Sequence, residues 1–389
     1  MRNLSLMRFM VLIIVMLNTA CAQPGARVRV TFDATQVTSV SASGLADRAT
    51  KRRVTANDLV RVASVSKLVV ALGVMRLAEA GTLDLDRDVS DYLGWRLRNP
   101  AFPDAPVSLR MLLSHTAGVR DANDYRVPLG KTVRAALADP RAWDARYQPG
   151  AYFTYSNLNF PAVASIMERT TGERFDVLMQ RLVLRPLGVE ACFNWPTCSD
   201  AQVARAVVLY HRDGSVRSDD LKGRQPPCPV FTESAGCDLT GYSPGDNGAL
   251  FSPQGGLRIS ARGLARIGQM FLNDGNGFLS PASLVTLATP VWTFNGSNGE
   301  TDGGFYCRYA LAVQTVATKQ GGCRDDLFGN GKARIGHAGE AYGLRSGLWI
   351  DRAAGKGVAF FATAVPDEAP KGKRSAFTRV EAQLAMGKR

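Results

Sequence analysis

The alternation of apolar and polar side chains predicts strands near both ends of the chain. Residues 27–32 and 38–43 show the two-residue period of a strand close to the N-terminus. Comparable segments separated by turn residues return late in the sequence, at 309–315, 333–337, 344–350 and 358–364. The two ends of the chain are therefore expected to be rich in β-structure.

Helical periodicity occupies the middle of the chain and its final segment. Residues 65–80 are mostly apolar, which predicts a buried helix, and Gly81 follows as a plausible C-cap. Further helical patterns lie at 163–170, 175–184, 260–272 and 375–386. Residues 192–255 are instead rich in proline, glycine and cysteine and are expected to form loops. No repeat or break in composition marks an independent domain.

The first 22 residues have the pattern of an export signal. Arg2 and Arg8 precede an apolar run at 9–17, which is shorter than the ~20 residues needed to cross a bilayer. Ala20 and Ala22 flank Cys21 as a cleavage site, which leaves a mature domain at 23–389 without a predicted transmembrane segment. Alternatively, a lipoprotein signal ends before Cys21, which then carries a lipid anchor. We expect an exported protein, periplasmic or secreted.

Six further cysteines agree with export. They form three neighbouring pairs along the chain, and an even number in an exported protein favours disulfides. The nearest-neighbour pairing is the hypothesis, with free buried thiols as the alternative, and it joins 192 to 198, 228 to 237 and 307 to 323. No CxxC pattern is present and the three histidines lie far apart, so neither a metal site nor a cofactor is predicted.

The chain is strongly basic, and this raises the question of an acidic partner. Its net charge of +13 becomes +11 without the two arginines of the signal. The basic residues are mostly scattered and lack interleaved aromatic residues, which is typical of a solvated surface. No nucleic-acid partner is expected.

Ser64 and Lys67 form the first group of candidate catalytic residues. They lie three positions apart at the start of the predicted buried helix, so they share one face. A serine hydroxyl needs a base to remove its proton, and a lysine in apolar surroundings has a lowered pKa that suits this role. The alternative is a capping serine and a lysine that extends to solvent. The apolar residues around Lys67 favour the catalytic interpretation.

Tyr155 and Asn157 form the second group, in the only Tyr-x-Asn of the chain. A phenol near a lysine ammonium can share or relay its proton, as base during attack and as acid to the leaving group. Asn157 could hold Lys67 or a substrate amide. The alternative is an ordinary turn after Gly150.

His337, Gly339 and Glu340 form the third group, on a predicted strand. Gly339 allows a ligand or another backbone to come close. The N–H of Glu340 could pair with that of Ser64 as an oxyanion hole. The alternative is a structural histidine.

Together these three motifs resemble those of the serine β-lactamase and penicillin-binding-protein superfamily. The Tyr-x-Asn form is similar to its class C branch, which includes DD-peptidases and esterases. Further similar segments are Arg61-Val62-Ala63 before Ser64, residues 112–118, and Gly255-Gly256-Leu257 followed by Ser260. The likeness covers residues 30–385, with the motifs in the same order.

The resemblance implies an α/β (α+β) fold of β-lactamase type. It implies an antiparallel sheet flanked by helices, formed by residues 23–80 and 250–389. A mainly helical lobe at 81–249 completes the implied fold, with the active site between the two lobes.

The resemblance also implies a role for each candidate residue. Ser64 attacks a carbonyl and forms an acyl-enzyme, which water then hydrolyses. Lys67 and Tyr155 move the proton as general base and acid, with the division of labour left open. Asn157 orients the site, and the N–H groups of Ser64 and Glu340 bind the oxyanion.

The third motif departs from the pattern of the β-lactamases in this branch. His337 stands where those enzymes have a lysine, and a neutral imidazole offers little charge to a substrate carboxylate. Arg334 or Arg345 could replace that charge. Glu340 beside an oxyanion hole is expected to repel anionic substrates.

The sequence therefore predicts an exported serine hydrolase that cleaves an ester or amide, in a small molecule or a peptide that can include D-amino acids. Two alternatives remain: a β-lactamase, and a non-catalytic envelope protein that retains the cleft for binding. Residues 241–245 match Gly-x-Ser-x-Gly, but they lack the strand and helix that flank a nucleophile elbow.

Overall fold

A large antiparallel sheet is the centre of the protein. The computed structural model describes residues 25–121, 124–211, 213–233, 236–372 and 375–388. The export signal and Cys21 lie outside the described residues. Eight strands are ordered β10-β11-β12-β13-β14-β15-β1-β2, so the two ends of the chain share one sheet. The first strand, β1, pairs with the last one, β15, in antiparallel register, which joins Val30 to Ala359.

The bounds of the strands in the described residues are as follows. In chain order they are β1 Arg27–Asp33, β2 Val37–Ser43, β3 Leu45–Asp47, β4 Arg52–Arg53, β5 Val60–Arg61, β6 Ala191–Phe193, β7 Leu209–Tyr210, β8 Val216–Ser218, β9 Leu257–Ile259, β10 Trp292–Thr293, β11 Arg308–Tyr309, β12 Gln314–Val316, β13 Arg334–Ala341, β14 Leu344–Asp351 and β15 Lys356–Ala362. The strands outside the main sheet form three small sheets, β3-β4, β5-β9-β6 and β7-β8.

The helices lie mainly between the two sets of strands in the sequence. In chain order they are α1 Val65–Glu79, α2 Ser90–Leu93, α3 Leu109–Leu113, α4 Val133–Ala138, α5 Asn159–Thr171, α6 Phe175–Met179, α7 Asp200–Ala204, α8 Ala261–Leu272, α9 Pro281–Ala288 and α10 Arg379–Met386. A single 3₁₀ turn, Pro140–Ala142, and a π-helical turn, Gln180–Leu184, complete them in the described residues.

Helices cover both faces of the main sheet. Successive side chains of a strand point to opposite faces, and in β14 apolar side chains lie on both of them. On β14, Leu348 belongs to the large core cluster that includes α1 and α8, whereas Trp349 belongs to the cluster under α10. Helix α8 lies so close that a β-carbon on Gly268 would be 2.2 Å from the ring of Phe32. All eight residues of β14 are buried, as expected for a strand that is covered on both faces.

Most of the predicted elements are confirmed, with errors in three segments. Residues 192–255 were expected to form loops, but they also contain the short elements α7, β7 and β8. The segment 309–315 was predicted as one strand, but it is two short strands, β11 and β12, joined by a turn in which Ala312 has a φ of 54°. The final helix begins at Arg379, not at residue 375, because Thr378 and Glu381 form a capping box there. The predicted helix at 65–80 is α1, and Gly81 follows its C-cap with a φ of 71°.

The predicted disulfide pairing is confirmed. Sulfur atoms are bonded between Cys192 and Cys198, between Cys228 and Cys237, and between Cys307 and Cys323. Within the described residues, no helix is both long and apolar enough to cross a bilayer.

Candidate active site

Ser64 lies at the start of α1 with its hydroxyl available for chemistry. The preceding residue, Ala63, has a φ of 47°, a conformation that is unfavourable for a residue with a β-carbon. Ser66 maintains this turn, since its Oγ donates to Ala63 O at 2.6 Å and accepts from Leu257 N at 3.0 Å. Ser64 makes no side-chain cap, in contrast to the alternative of a purely capping serine.

Lys67 is fully buried one turn later and makes three hydrogen bonds. Its Nζ lies 3.0 Å from Ser64 Oγ, 2.8 Å from Asn157 Oδ1 and 2.8 Å from Gln254 O. Burial lowers the pKa of Lys67 to about 7, although the negative charge of Asp121 opposes this shift. A large fraction of Lys67 is therefore neutral near pH 7, so its amine can accept a proton.

Asp121 fixes the segment that carries Tyr155 and Asn157. Its carboxylate accepts hydrogen bonds from the backbone N–H groups of Asn157 at 2.8 Å and Leu158 at 3.0 Å. It also accepts from Ser156 Oγ and Asn157 Nδ2, both at 2.8 Å. The amide of Asn157 is therefore held between Asp121 and Lys67, which fixes the direction of its oxygen.

Tyr155 lies near Ser64 in an aromatic cluster. Its ring centroid is 5.0 Å from Lys67 Nζ, 4.3 Å from the ring of His115 and 4.6 Å from that of Tyr306. Burial raises the pKa of its phenol well above the usual value, while the hydroxyl of Ser64 lowers it. Tyr155 is therefore protonated at neutral pH and can act as a proton donor.

Gly339 lets strand β13 approach Ser64. A β-carbon at this position would lie 2.3 Å from both Ser346 Oγ and Val62 O, and 3.3 Å from Ser64 N. Ser346 Oγ donates to Val62 O at 2.8 Å and so holds β14 against the turn before Ser64. The N–H of Ser64 donates to no other described residue, which leaves it available to a ligand.

The charges near the third motif are already paired. Glu340 is exposed and forms an ion pair with Arg345, the residue opposite it on β14, at 2.5 Å. Arg334 pairs with Asp351 at 3.1 Å. Arg345 also neutralises the repulsion that the sequence predicted for Glu340. Neither arginine is therefore a free replacement for the lysine that β-lactamases carry in this motif.

His337 lies behind the cleft. It is 1% exposed, its Nδ1 donates to Ala338 O at 2.5 Å, and its Nε2 accepts from Tyr309 Oη at 2.6 Å. Burial lowers its pKa to about 3, so the ring is neutral across the physiological range. Its contribution is to the aromatic packing around Tyr155, whose ring centroid is 6.4 Å away.

A cleft of about 1180 Å³ opens over these residues. Ser64, Tyr155 and Asn157 line it together with Gly339 and Glu340. The cysteine-rich segment also lines it, through residues 217–231. Ser243, of the Gly-x-Ser-x-Gly match, does not line this cleft and lies in an irregular segment without a preceding strand.

Comparison with known proteins identifies the family. The family model described as Beta-lactamase matches residues 14–383. The chain belongs to the beta-lactamase family. This family consists of serine hydrolases, so the prediction of an enzyme is confirmed at the level of the family.

Relatives in this family include an esterase and a penicillin-binding protein. Esterase EstB of Burkholderia gladioli is 32% identical over 210 residues, which cover 48% of this chain and 50% of the esterase. Penicillin-binding protein 4 of Amycolatopsis lactamdurans is 28% identical over 237 residues, covering 60% of this chain and 56% of the relative. The chain thus aligns with about half the length of these relatives.

Solved structures confirm the predicted fold. The hydrolase EstCE1 superposes with a TM-score of 0.67 at 21% identity, covering 93% of both chains. A class C beta lactamase from Rhodobacter sphaeroides superposes with a TM-score of 0.63 at 17% identity, covering 94% of this chain and 93% of the other.

Within this fold, the structure brings Ser64 and Lys67 together with Tyr155 and Asn157. Of the third group, the backbone at Gly339 lies close to Ser64. The sequence reasoning missed Asp121, His115 and Tyr306. His115 is buried, and its Nδ1 accepts from Ser156 N at 3.1 Å. It lies within the segment 112–118 that the resemblance singled out, which was the available signal. No spacing marked Asp121 or Tyr306.

Proposed function

We propose that the protein is an exported serine hydrolase that cleaves esters or amides through an acyl-enzyme on Ser64. One observation carries this proposal: the Nζ of a fully buried lysine with a pKa of about 7 lies 3.0 Å from Ser64 Oγ. No separate base is then needed to activate the hydroxyl.

Lys67 acts as the general base in this proposal. A neutral amine has two N–H groups and one lone pair. The Nζ of Lys67 has two oxygen acceptors and one hydroxyl around it, which is one partner for each. The two N–H groups donate to Asn157 Oδ1 and Gln254 O, and the lone pair accepts the proton of Ser64 Oγ. The Ser64 oxygen then bonds to the substrate carbonyl carbon while Lys67 becomes an ammonium.

Tyr155 acts as the general acid, because its raised pKa keeps the phenol protonated. When the tetrahedral intermediate collapses, the bond to the leaving group breaks and the proton of Tyr155 passes to that group. The Lys67 ammonium then returns a proton to the Tyr155 phenolate. A water molecule then bonds to the acyl carbon while Lys67 accepts one of its protons. The bond between this carbon and Ser64 Oγ breaks, Tyr155 protonates Oγ, and the Lys67 ammonium returns a proton to Tyr155, so the carboxylic acid is released.

The N–H groups of Ser64 and Glu340 form the oxyanion hole in this proposal. The close approach of Gly339 to Ser64 N supports it, because it brings the next N–H of β13 near the nucleophile. Asn157 orients the lysine through its amide oxygen.

The substrate is proposed to be an ester or amide, in a small molecule or a peptide that can contain D-amino acids. His337 is neutral and lies behind the cleft, so this position offers no charge to the carboxylate of a β-lactam. This favours ester or peptide cleavage over a dedicated β-lactamase. The division into two lobes at residues 81–249, export and a lipid anchor at Cys21 remain predictions.

Labelling with two active-site probes tests the proposal. The mature protein, Ser64→Ala and the control Ser243→Ala are incubated with a fluorophosphonate and with a labelled penicillin, and adducts are located by peptide mapping. We expect a fluorophosphonate adduct on Ser64 in the parent protein and in Ser243→Ala. A stable penicillin adduct identifies a penicillin-binding peptidase, and rapid penicillin turnover identifies a β-lactamase. A folded parent protein that reacts with neither probe is a binding protein.

A further inference from the structure

The phenol ring of Tyr155 is packed between two other rings. His115 lies 4.3 Å away at a tilt of 31°, and Tyr306 lies 4.6 Å away at 12°, almost parallel. Among the described rings, His115 and Tyr306 make no contact with each other. They therefore cover opposite faces of Tyr155 and leave its hydroxyl as the group free to react.

The oxygen of Tyr155 needs a donor at the moment when the leaving group departs, before Lys67 returns its proton. In the resting site the Nζ of Lys67 is hydrogen-bonded to Ser64, Asn157 and Gln254 and makes no hydrogen bond to Tyr155 Oη. The Oη of Tyr155 is buried without a well-aligned hydrogen bond to any described residue. A phenolate formed at this oxygen would be costly without a donor, because buried charge is strongly disfavoured.

Tyr306 is the neighbouring group that can donate. Its ring is stacked almost parallel to that of Tyr155, with centroids 4.6 Å apart, and its hydroxyl lowers the pKa of Tyr155. The hydroxyl of Ser64 lowers this pKa too, but Ser64 loses its proton when it attacks the substrate. Burial raises the pKa of Tyr306 well above the usual value, so Tyr306 still carries a proton to donate when the leaving group departs.

The backbone around Tyr306 holds its ring in place. Tyr306 N donates to Thr301 O at 2.9 Å, and the next residue, Cys307, is bonded to Cys323. Phe305 contacts the Tyr306 ring edge-on at a centroid distance of 4.8 Å. The ring of Tyr306 is therefore held against that of Tyr155, and the residue lines the cleft.

We propose that Tyr306 is a positioning residue that donates a hydrogen bond to Tyr155 Oη and stabilises the phenolate formed when Tyr155 protonates the leaving group. The inference rests on the proposed function, in which Tyr155 is the general acid. Tyr306 keeps its own proton throughout: the proton on the leaving group comes from Tyr155, and the Lys67 ammonium replaces it.

The role of Tyr306 depends on the leaving group. An alkoxide or an amide nitrogen must be protonated as it departs, so its release requires Tyr155 to become a phenolate. p-Nitrophenolate departs as a stable anion and does not need this proton. Loss of the Tyr306 hydroxyl should therefore slow the first class of substrate and spare the second.

The test compares Tyr306→Phe with the parent protein on p-nitrophenyl butyrate and ethyl butyrate, which share an acyl group. Tyr152→Phe is the matched control, because it removes a hydroxyl from a ring stacked on Tyr147, outside the cleft. We expect kcat/KM for ethyl butyrate to fall about ten- to a hundredfold in Tyr306→Phe, as is typical for a hydrogen bond to a charged group. The value for p-nitrophenyl butyrate should change less than about threefold.

Each result separates this inference from the proposed function. An equal loss on both esters, with an unchanged melting temperature, would mean that Tyr306 only packs against Tyr155, and it would overturn the inference. No loss on ethyl butyrate would overturn it as well. If the parent protein hydrolyses neither ester and resists the fluorophosphonate, the proposed function itself fails. Tyr155→Phe is measured alongside and should show the same dependence on the leaving group, to a greater extent.

Discussion

Asp121→Asn tests whether Lys67 is the base. Asp121 carries the only negative charge that is found to act on the pKa of Lys67 in the described residues, and it raises that pKa against the effect of burial. Replacing the carboxylate with an amide removes the charge at nearly constant volume. The pKa of Lys67 should fall, because the ammonium loses its stabilising neighbour.

The size of the shift follows from the geometry of the bridge through Asn157. Asn157 contacts both partners at 2.8 Å, with Nδ2 toward Asp121 and Oδ1 toward Lys67. The two charges are therefore roughly 8 Å apart at most, which corresponds to about 2 kcal/mol at an effective dielectric constant near ~20. Asp121 is exposed, and screening by solvent reduces this value. We expect the pKa of Lys67 to fall by about one unit.

The assay is the pH dependence of kcat/KM for p-nitrophenyl butyrate. In the parent protein the rate should rise with pH through about 7, as Lys67 loses its proton. In Asp121→Asn this rise should move to lower pH by about one unit. The maximal rate should fall as well, because the new amide cannot accept all four hydrogen bonds of the carboxylate.

Asp124→Asn is the matched control, because this acid lines the same cleft but does not act on the pKa of Lys67. It should leave the midpoint of the rise unchanged. If the midpoint of Asp121→Asn equals that of the parent protein, or moves to higher pH, the residue that titrates is not Lys67. The reasoning on the base is then wrong.

Two further predictions concern the fold around the site. Gly339→Ala places a β-carbon 2.3 Å from Val62 O, so we expect a loss of about 2 kcal/mol of stability and about a hundredfold in kcat/KM. An unchanged melting temperature with parental activity would contradict the close approach. Glu168 is buried and accepts from Tyr242 and Gly245, and burial raises its pKa from 4.5 to about 7. The protonated form is therefore favoured by folding, so about 3 kcal/mol of stability present at pH 4.5 should be lost as the pH rises through about 7. The free energy of unfolding of Glu168→Gln, measured across this pH range, should not decline in this way. If it declines as much as that of the parent protein, the decline comes from another titrating group.

The sequence predicted several strands of the main sheet and the helix packed on it well, because apolar residues recur there with the period of a strand or a helix, as in the alternating β1. Strands β1, β14 and β15 and helix α8 lie within two or three residues of their predicted bounds. The failure at 309–315 has a local cause. The turn between β11 and β12 contains only apolar side chains, since residues 310–313 are all buried, so no polar signal marked it.

The prediction of site residues was limited by contacts between distant segments. Ser64, Lys67, Tyr155 and Asn157 belong to short motifs, and a spacing of one helical turn explains why the first two meet. Asp121 lies 36 residues before Asn157, and nothing in the intervening sequence indicates that a loop brings them together. The same holds for Tyr306, which is 151 residues from its neighbour Tyr155 in the chain and becomes recognisable only when the rings are seen to stack.

The conformation of the backbone before Ser64 is also set by contacts from distant parts of the chain. Ala63 has a positive φ, and a residue with a β-carbon retains such a conformation only when its surroundings impose it. Leu257 and Ser346 impose it here, through hydrogen bonds to Ser66 and Val62 on the two sides of the turn. These partners lie 191 and 284 residues away, so the turn depends on contacts with strand β9 and with the main sheet. The geometry around Ser64 is therefore a property of the complete fold, whereas the Ser-x-x-Lys pattern that contributes to its prediction as the nucleophile lies in four consecutive residues.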